Sequence, residues 1–131
     1  MSQENVVAFL AMMQAINCGE VEGVLRASAE DCVLLPLRSA VAGGFHGHDG
    51  IRELFADSAE TFEVFQVDWR DVRDLGDQVL AIGTVHLRGR GGGVETDIPT
   101  AGVAIFRDGK LTAWQDFGDR RAALKAVGLE A

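Results

Sequence analysis

Apolar residues recur with helical spacing along the first part of the chain. Val6, Phe9, Leu10, Met13 and Ile16 share one face of a helix over 3–17, and the triplet 17–19 (NCG) supplies its stop. A second, shorter helix runs through Val21, Val24 and Leu25. Asp31 then leads into the apolar run 32–37 (CVLLPL), which reads as a buried strand. Its Pro36 has no N–H to give to a ladder, which confines the strand to an edge or to its own end. Ala42 to Gly47 reads as a loop. Behind it Ile51, Leu54, Phe55 and Phe62 mark a third helix, with Asp49 or His48 as the cap at its start.

From residue 63 the apolar period changes to two. Phe65, Val67 and Trp69 alternate with polar residues, and the triplet 75–77 (LGD) is a turn. Val79, Ala81, Gly83, Val85 and Leu87 form one face of a long strand, with Thr84, His86 and Arg88 opposite. The stretch 88–93 (RGRGGG) makes a loose hairpin, 94–107 is a further strand, and 107–110 (RDGK) is a strong hairpin turn. The last strand covers 111–117. Asp119 caps a final helix through Ala123, Leu124 and Val127, which Gly128 ends.

Helices, a short strand, a helix and then a run of antiparallel strands define an α+β order, with helices segregated against one curved sheet. With 131 residues, no internal repeat and no low-complexity tract, residues 1–131 are expected to form a single domain. The apolar share of 47% is ordinary for a soluble globular protein. The net charge of −8 argues against nucleic acid and against an anionic membrane surface as partners, because both are polyanions. It leaves an uncharged small molecule open. The two cysteines, Cys18 and Cys32, lack the density of a disulfide scaffold and the spacing of zinc ligands. Reduced thiols in a cytoplasmic protein are the simpler reading. The chain has neither an apolar run of membrane-spanning length nor a basic region ahead of an apolar one at the N-terminus.

Four short motifs, in this order and spacing, carry a resemblance that covers essentially the whole chain. They are 47–51 (GHDGI) opening a helix, 75–77 (LGD) before the long strand, 107–110 (RDGK), and the ending 119–129 (DRRAALKAVGL). The chain thereby resembles the SnoaL-like members of the nuclear transport factor 2-like superfamily. The resemblance implies a strongly bent antiparallel sheet packed by N-terminal helices, a cone-shaped fold with an apolar cavity. It also implies a homodimer formed through one face of the sheet. Function varies within that superfamily between epoxide hydrolases, isomerases, cyclases, dehydratases and non-catalytic binders.

The nearest enzymatic resemblance is to limonene-1,2-epoxide hydrolase. The stretch 114–119 (WQDFGD) is similar to that family's Trp-Arg-Asp-Tyr-Phe-Asp, whose first Asp activates water, and that position falls on Asp116. The other polar groups are replaced. The family's Arg-x-Asp pair falls on Gly83 and Val85, its Tyr and Asn fall near Leu34 and Pro36, and this chain has no tyrosine. Opening an epoxide needs a base, a held water and an acid, and here only the base is accounted for. Ketosteroid isomerase, whose oxyanion hole uses a phenol donor, fits no better.

Asp116 is therefore the candidate catalytic residue. Period-two alternation alone leaves it facing either solvent or interior; the resemblance points it inward, into a cavity lined by Leu34, Gly83, Val85 and Trp114. Phe55 reads as core, with Phe9, Phe62, Met12 and Met13, and in this fold such residues also wall the cavity. His86, opposite the inward set, reads as a surface residue. The cluster His46, His48 and Asp49 reads as a helix start rather than a metal site. The glycine run after Arg88 precedes a strand, so it does not present the helix amides of a phosphate loop. Glu95 and Asp97 share a face and read as solvated charges that keep an edge soluble.

These readings converge on a protein for a hydrophobic, uncharged small molecule, with no metal and no cofactor. Any catalysis is expected to be an isomerisation, cyclisation, dehydration or hydrolysis in which Asp116 moves a proton. A non-catalytic binding or accessory domain is the alternative, and an epoxide hydrolase ranks third.

Overall fold

The structure, a computed structural model, describes residues 3–35 and 44–129. Pro36, Leu37 and the first residues of the loop expected from Ala42 lie outside that range. Helix α1 (Gln3–Asn17) and helix α2 (Val21–Ala27) precede strand β1 (Ser28–Leu35). The short β2 (Phe45–His46) leads into helix α3 (Gly47–Thr61). Strands β3 (Phe62–Asp74), β4 (Gln78–Gly89), β5 (Glu95–Arg107) and β6 (Lys110–Asp116) follow, and helix α4 (Arg120–Ala126) closes the described chain.

Helix α1 buries Phe9, Met12 and Met13, while Leu10 is 45% exposed. The geometry explains this departure from the expected stripe. At about 100° per residue Leu10 sits roughly 100° around the helix from Phe9, whereas Met12 sits only about 60° away. Helix α3 begins earlier than expected, so neither Asp49 nor His48 caps it. Its N-cap is His46, which makes no side-chain capping hydrogen bond. Asp49 in the first turn pairs instead with Arg52 at 3.0 Å. The His48 Nε2 atom lies 3.0 Å from the Ser28 carbonyl oxygen. Phe62 is the first residue of β3 rather than part of the helix, and its ring meets Phe65 at 5.9 Å.

The six strands form one strongly curved, unclosed sheet in the order β2-β1-β6-β5-β4-β3. The sheet is mixed: β1 runs parallel to β6, with Leu34 beside Trp114, and the other neighbours are antiparallel. The β5–β6 turn places Asp108 at φ 54° and Gly109 at φ 78°, the two left-handed positions that an Asp-Gly hairpin supplies at low cost. The edge of β3 is covered locally. The Asn17 carboxamide accepts from Val67 N–H and donates to Val67 C=O, both at 2.9 Å, as a neighbouring strand would.

Two layers of core follow from the alternation of side chains. On the inner face Val79, Ala81, Ala104, Phe106 and Leu111 pack with Phe9, Met12, Met13, Leu34 and Ile51. On the outer face Leu80, Ala101 and Val103 pack under Ala123 and Leu124 of α4. Each large side chain buried in this way contributes roughly 1.5–3 kcal/mol. Helix α4 is held at its start as the sequence implies, with Asp119 accepting from Ala122 N–H at 2.8 Å.

Candidate functional site

Trp114 stacks on Phe9 of α1, with ring centroids 5.8 Å apart. That contact identifies the face of β6 that looks inward. Asp116 lies two residues on, so strand alternation turns its carboxylate towards the same side. It is half-buried at the very end of β6. Two donors fix its Oδ1 atom: the Thr100 hydroxyl at 3.3 Å and the Gly118 N–H at 3.2 Å. One residue past the strand end, Phe117 N–H still donates to Ala101 C=O at 2.8 Å. Asp116 is thus a carboxylate anchored at a strand end beside an indole.

The cross-strand register places its neighbours. Trp69 of β3 is opposite Gly83 of β4, Gly83 is opposite Thr100 of β5, and the Thr100 hydroxyl reaches Asp116. Trp69, Gly83 and Thr100 therefore form one transverse row across three strands of the inner face, while Asp116 of β6 stands opposite Gly102 of β5 and the Thr100 hydroxyl reaches it diagonally. Phe9, Trp69 and Trp114 form an aromatic trio on the same face, with the two indoles edge-on at 5.8 Å and Phe9 at 5.7 Å from Trp69. The Trp69 Nε1 atom is buried and has no hydrogen-bond partner among the described residues.

Two glycines of the inner face have steric causes. The register of β3 shifts between Trp69 and Asp71, which throws the β3 backbone towards β4. A Cβ on Gly83 would strike the Asp68 carbonyl oxygen, so the site accepts only glycine without moving the backbone. A Cβ on Gly102 would strike the Trp114 ring, which lies across that strand.

Leu34, Phe55 and Trp114 belong to one packed cluster with Phe9 and Trp69. Gly83 and Val85 lie further along the inner face of β4. Val85 is half-buried, opposite Val67 on one side and Ile98, 43% exposed, on the other. Thr100 and Trp69 are the residues that sequence reasoning did not assign to the site. Trp69 was legible as an alternating strand residue, but its place opposite Gly83 depends on a register that no local pattern encodes.

The remaining candidates fall elsewhere. His86 pairs with Asp97 across the outer face, Nδ1 to Oδ1 at 2.7 Å, and Arg88 forms an ion pair with Glu63 at 3.2 Å. His46, His48 and Asp49 line a concavity of about 340 Å³ with Glu30 and Arg52. No group of three or more His, Cys, Asp or Glu among the described residues is arranged to hold a metal ion. A second groove, of about 140 Å³, lies beside α4 between Val103, Ile105, Gln115, Phe117 and Val127. Asp116 lines neither concavity. Cys32 is fully buried, and burial pushes its thiol pKa up. No helix of the described residues is long and apolar enough to cross a membrane.

A curved sheet wrapped on helices, with one anchored acid at the end of its last strand, defines the class of small α+β proteins built around an inner sheet face. The chain belongs to the SnoaL-like domain family, whose model matches residues 9–114 and stops two residues short of Asp116. Comparison with curated proteins gives no match. Among solved structures the chain is similar to TerC co-crystallised with polyporic acid, at 26% identity, covering 88% of this chain and 92% of that one with a TM-score of 0.78. It is also similar to a putative SnoaL-like polyketide cyclase from Shewanella denitrificans, at 20% identity over 94% and 96% of the two chains, TM-score 0.75. An LEH-like epoxide hydrolase of M. tuberculosis shares 22% identity over 94% and 88%, TM-score 0.72. The last two likenesses show the fold alone.

Proposed function

We propose that this chain binds a hydrophobic, uncharged small molecule on the inner face of its sheet, and that Asp116 serves there as a cofactor-free acid/base. The observation that carries the reading is the anchored Asp116 carboxylate, held by Thr100 and Gly118 on the face that carries Trp114. A fixed carboxylate beside apolar rings takes a proton from a carbon next to a carbonyl and returns it to another carbon of the same molecule, which is an isomerisation. The same group closes a ring, or draws a proton from water in a hydrolysis. The TerC structure, co-crystallised with a small organic molecule, supports the choice of ligand class. Leu34, Phe55, Gly83, Val85 and Trp114 are the proposed apolar contacts. The homodimer implied by the resemblance belongs to the same reading.

A second reading, non-catalytic binding, has its own support. Leu34, Gly83 and Val85 add no polar group beside Asp116, and activated water needs more than one polar partner. Epoxide hydrolysis stands third, for want of an acid to protonate the epoxide oxygen.

A turnover screen on epoxides and enolisable ketones, run on the parent and on Asp116→Asn, separates enzyme from binder. The catalytic reading expects the substitution to lower the rate by about 10²–10⁴-fold, the contribution of a positioned general base. Equal rates in the two proteins would reject it.

A further inference from the structure

We propose that Asp108 is a site of spontaneous isomerisation to isoaspartate, the modified residue that an isoaspartyl carboxyl methyltransferase takes as its substrate. The sequence carries two Asp-Gly steps, Asp49-Gly50 and Asp108-Gly109, of similar intrinsic reactivity. The structure separates them.

The reaction is internal to the chain and needs only water. The Gly109 nitrogen attacks the protonated Asp108 side-chain carboxyl at Cγ. The N–Cγ bond forms, the Cγ–OH bond breaks, and water leaves with the amide proton. Water then opens the resulting succinimide ring at one of its two carbonyls. Attack at Cγ restores Asp108. Attack at the Asp108 main-chain carbonyl breaks its bond to the Gly109 nitrogen instead. The chain then runs through Cβ and Cγ, and Cα carries a free carboxylate. Nothing is oxidised or reduced, and the mass is unchanged. Glycine favours ring closure because no Cβ shields its nitrogen.

Asp108 and Gly109 meet each requirement. Both are exposed, and together they make the whole turn between β5 and β6. The ladder closes on Arg107 paired with Lys110, which leaves the Gly109 nitrogen outside it. The space around Gly109 is open: a Cβ built there meets nothing within 4 Å. Exposed backbone of this kind opens locally at low free-energy cost, and rotation of the Asp108–Gly109 peptide into ring geometry requires no more than that.

Gly50 is placed in the opposite way. It is buried in the first turn of α3, where helix geometry directs its N–H at the His46 carbonyl. A Cβ on it would lie 2.8 Å from the Phe45 carbonyl carbon, so a ring has no room to form.

Isomerisation lengthens a tight turn by one backbone atom, and the misfit falls on the pair that flanks it. Those two side chains tie the hairpin to α2 and β1. Lys110 Nζ donates to the Arg26 carbonyl at 2.8 Å, and Arg107 pairs with Asp31 at 3.9 Å.

The test ages the whole chain in mildly acidic buffer, native and in urea, and reads two signals. One is methyl transfer from S-adenosylmethionine by an isoaspartyl carboxyl methyltransferase. The other is digestion by a protease that cuts before Asp but not before isoaspartate. In the native sample the peptide holding Asp108 is expected to gain about tenfold or more label than the one holding Asp49, the factor that a modest local-opening free energy imposes. The uncut peptide 97–115 grows in step with it, and 31–56 does not. In urea both sites are expected to gain label at similar rates, because the unfolded chain offers both steps alike. Asp108→Glu, whose longer side chain cannot close the same ring, loses the native label.

Label at Asp108 in urea but not in the native chain would show that the turn protects the step, and would overturn the proposal. Equal native label at Asp49 and Asp108 would overturn its structural basis. Absence of label at both sites even in urea would overturn the chemistry itself.

Discussion

Gly83 occupies the position where the epoxide hydrolase resemblance expects an arginine, and the structure gives that replacement a mechanical cause. The β3 backbone bulges towards it, and any side chain would meet the Asp68 carbonyl. Gly83→Ala is expected to cost about 1–3 kcal/mol in urea unfolding, the usual range for overpacking a closed site. A cost near zero would show that the bulge yields. Cys32 gives a second prediction at this scale. Its thiol pKa is raised in the folded state, chiefly by burial. The neutral thiol suits the fold, so its contribution is fully present below the ordinary pKa of 9.0. It is lost as the pH rises past that value, because the unfolded chain ionises first. Urea unfolding at pH 7.5 and pH 10 should show a larger loss for the parent than for Cys32→Ala. Parallel losses would contradict the shift. Of the site residues, Trp114 and Asp116 were legible because they are two apart on a strand whose end is marked by Gly118 and Asp119. Thr100 was not, because its bond to Asp116 joins residues 16 apart in sequence.

Among the elements, those with local causes were the readable ones. The β5–β6 hairpin follows from Asp108 and Gly109 alone, and the start of α4 from Asp119. The parallel pairing of β1 with β6 has no such local signal: it brings Leu34 beside Trp114, residues 80 apart in sequence. The start of α3 was misplaced because Asp49 and His48 both suit a cap, yet their side chains go to Arg52 and to the Ser28 carbonyl. Asn17, read only as part of a helix stop, also serves the edge of β3 through two hydrogen bonds. Asn17→Ala is expected to cost about 1–2 kcal/mol, two net hydrogen bonds, in chemical unfolding. It should also promote concentration-dependent association on gel filtration, since an uncovered edge pairs with other strands. An unchanged elution profile and midpoint would remove the edge-covering role.

At the scale of the whole molecule, the two faces of the sheet carry different sets of residues. The outer face carries α4 and a cross-strand His86–Asp97 pair; the inner face carries the aromatic trio and the anchored acid. The resemblance read from motif order implied this architecture, and the family match and the fold likenesses agree with it. Beside Trp114 the inner face carries Phe9 and Trp69 in ring contact, an arrangement set by long-range register that composition does not reveal. The surface concavities, beside α4 and at the start of α3, are the physical rivals of the inner face for a ligand. Chemical-shift mapping of the labelled parent chain during titration with 2-acetylnaphthalene decides between them. A site on the inner face predicts the largest changes at the Trp69 and Trp114 indoles and at the amides of Thr100, Gly102 and Asp116. Changes confined to Gln115, Ala126 and Val127, or to His46, His48 and Arg52, would contradict it.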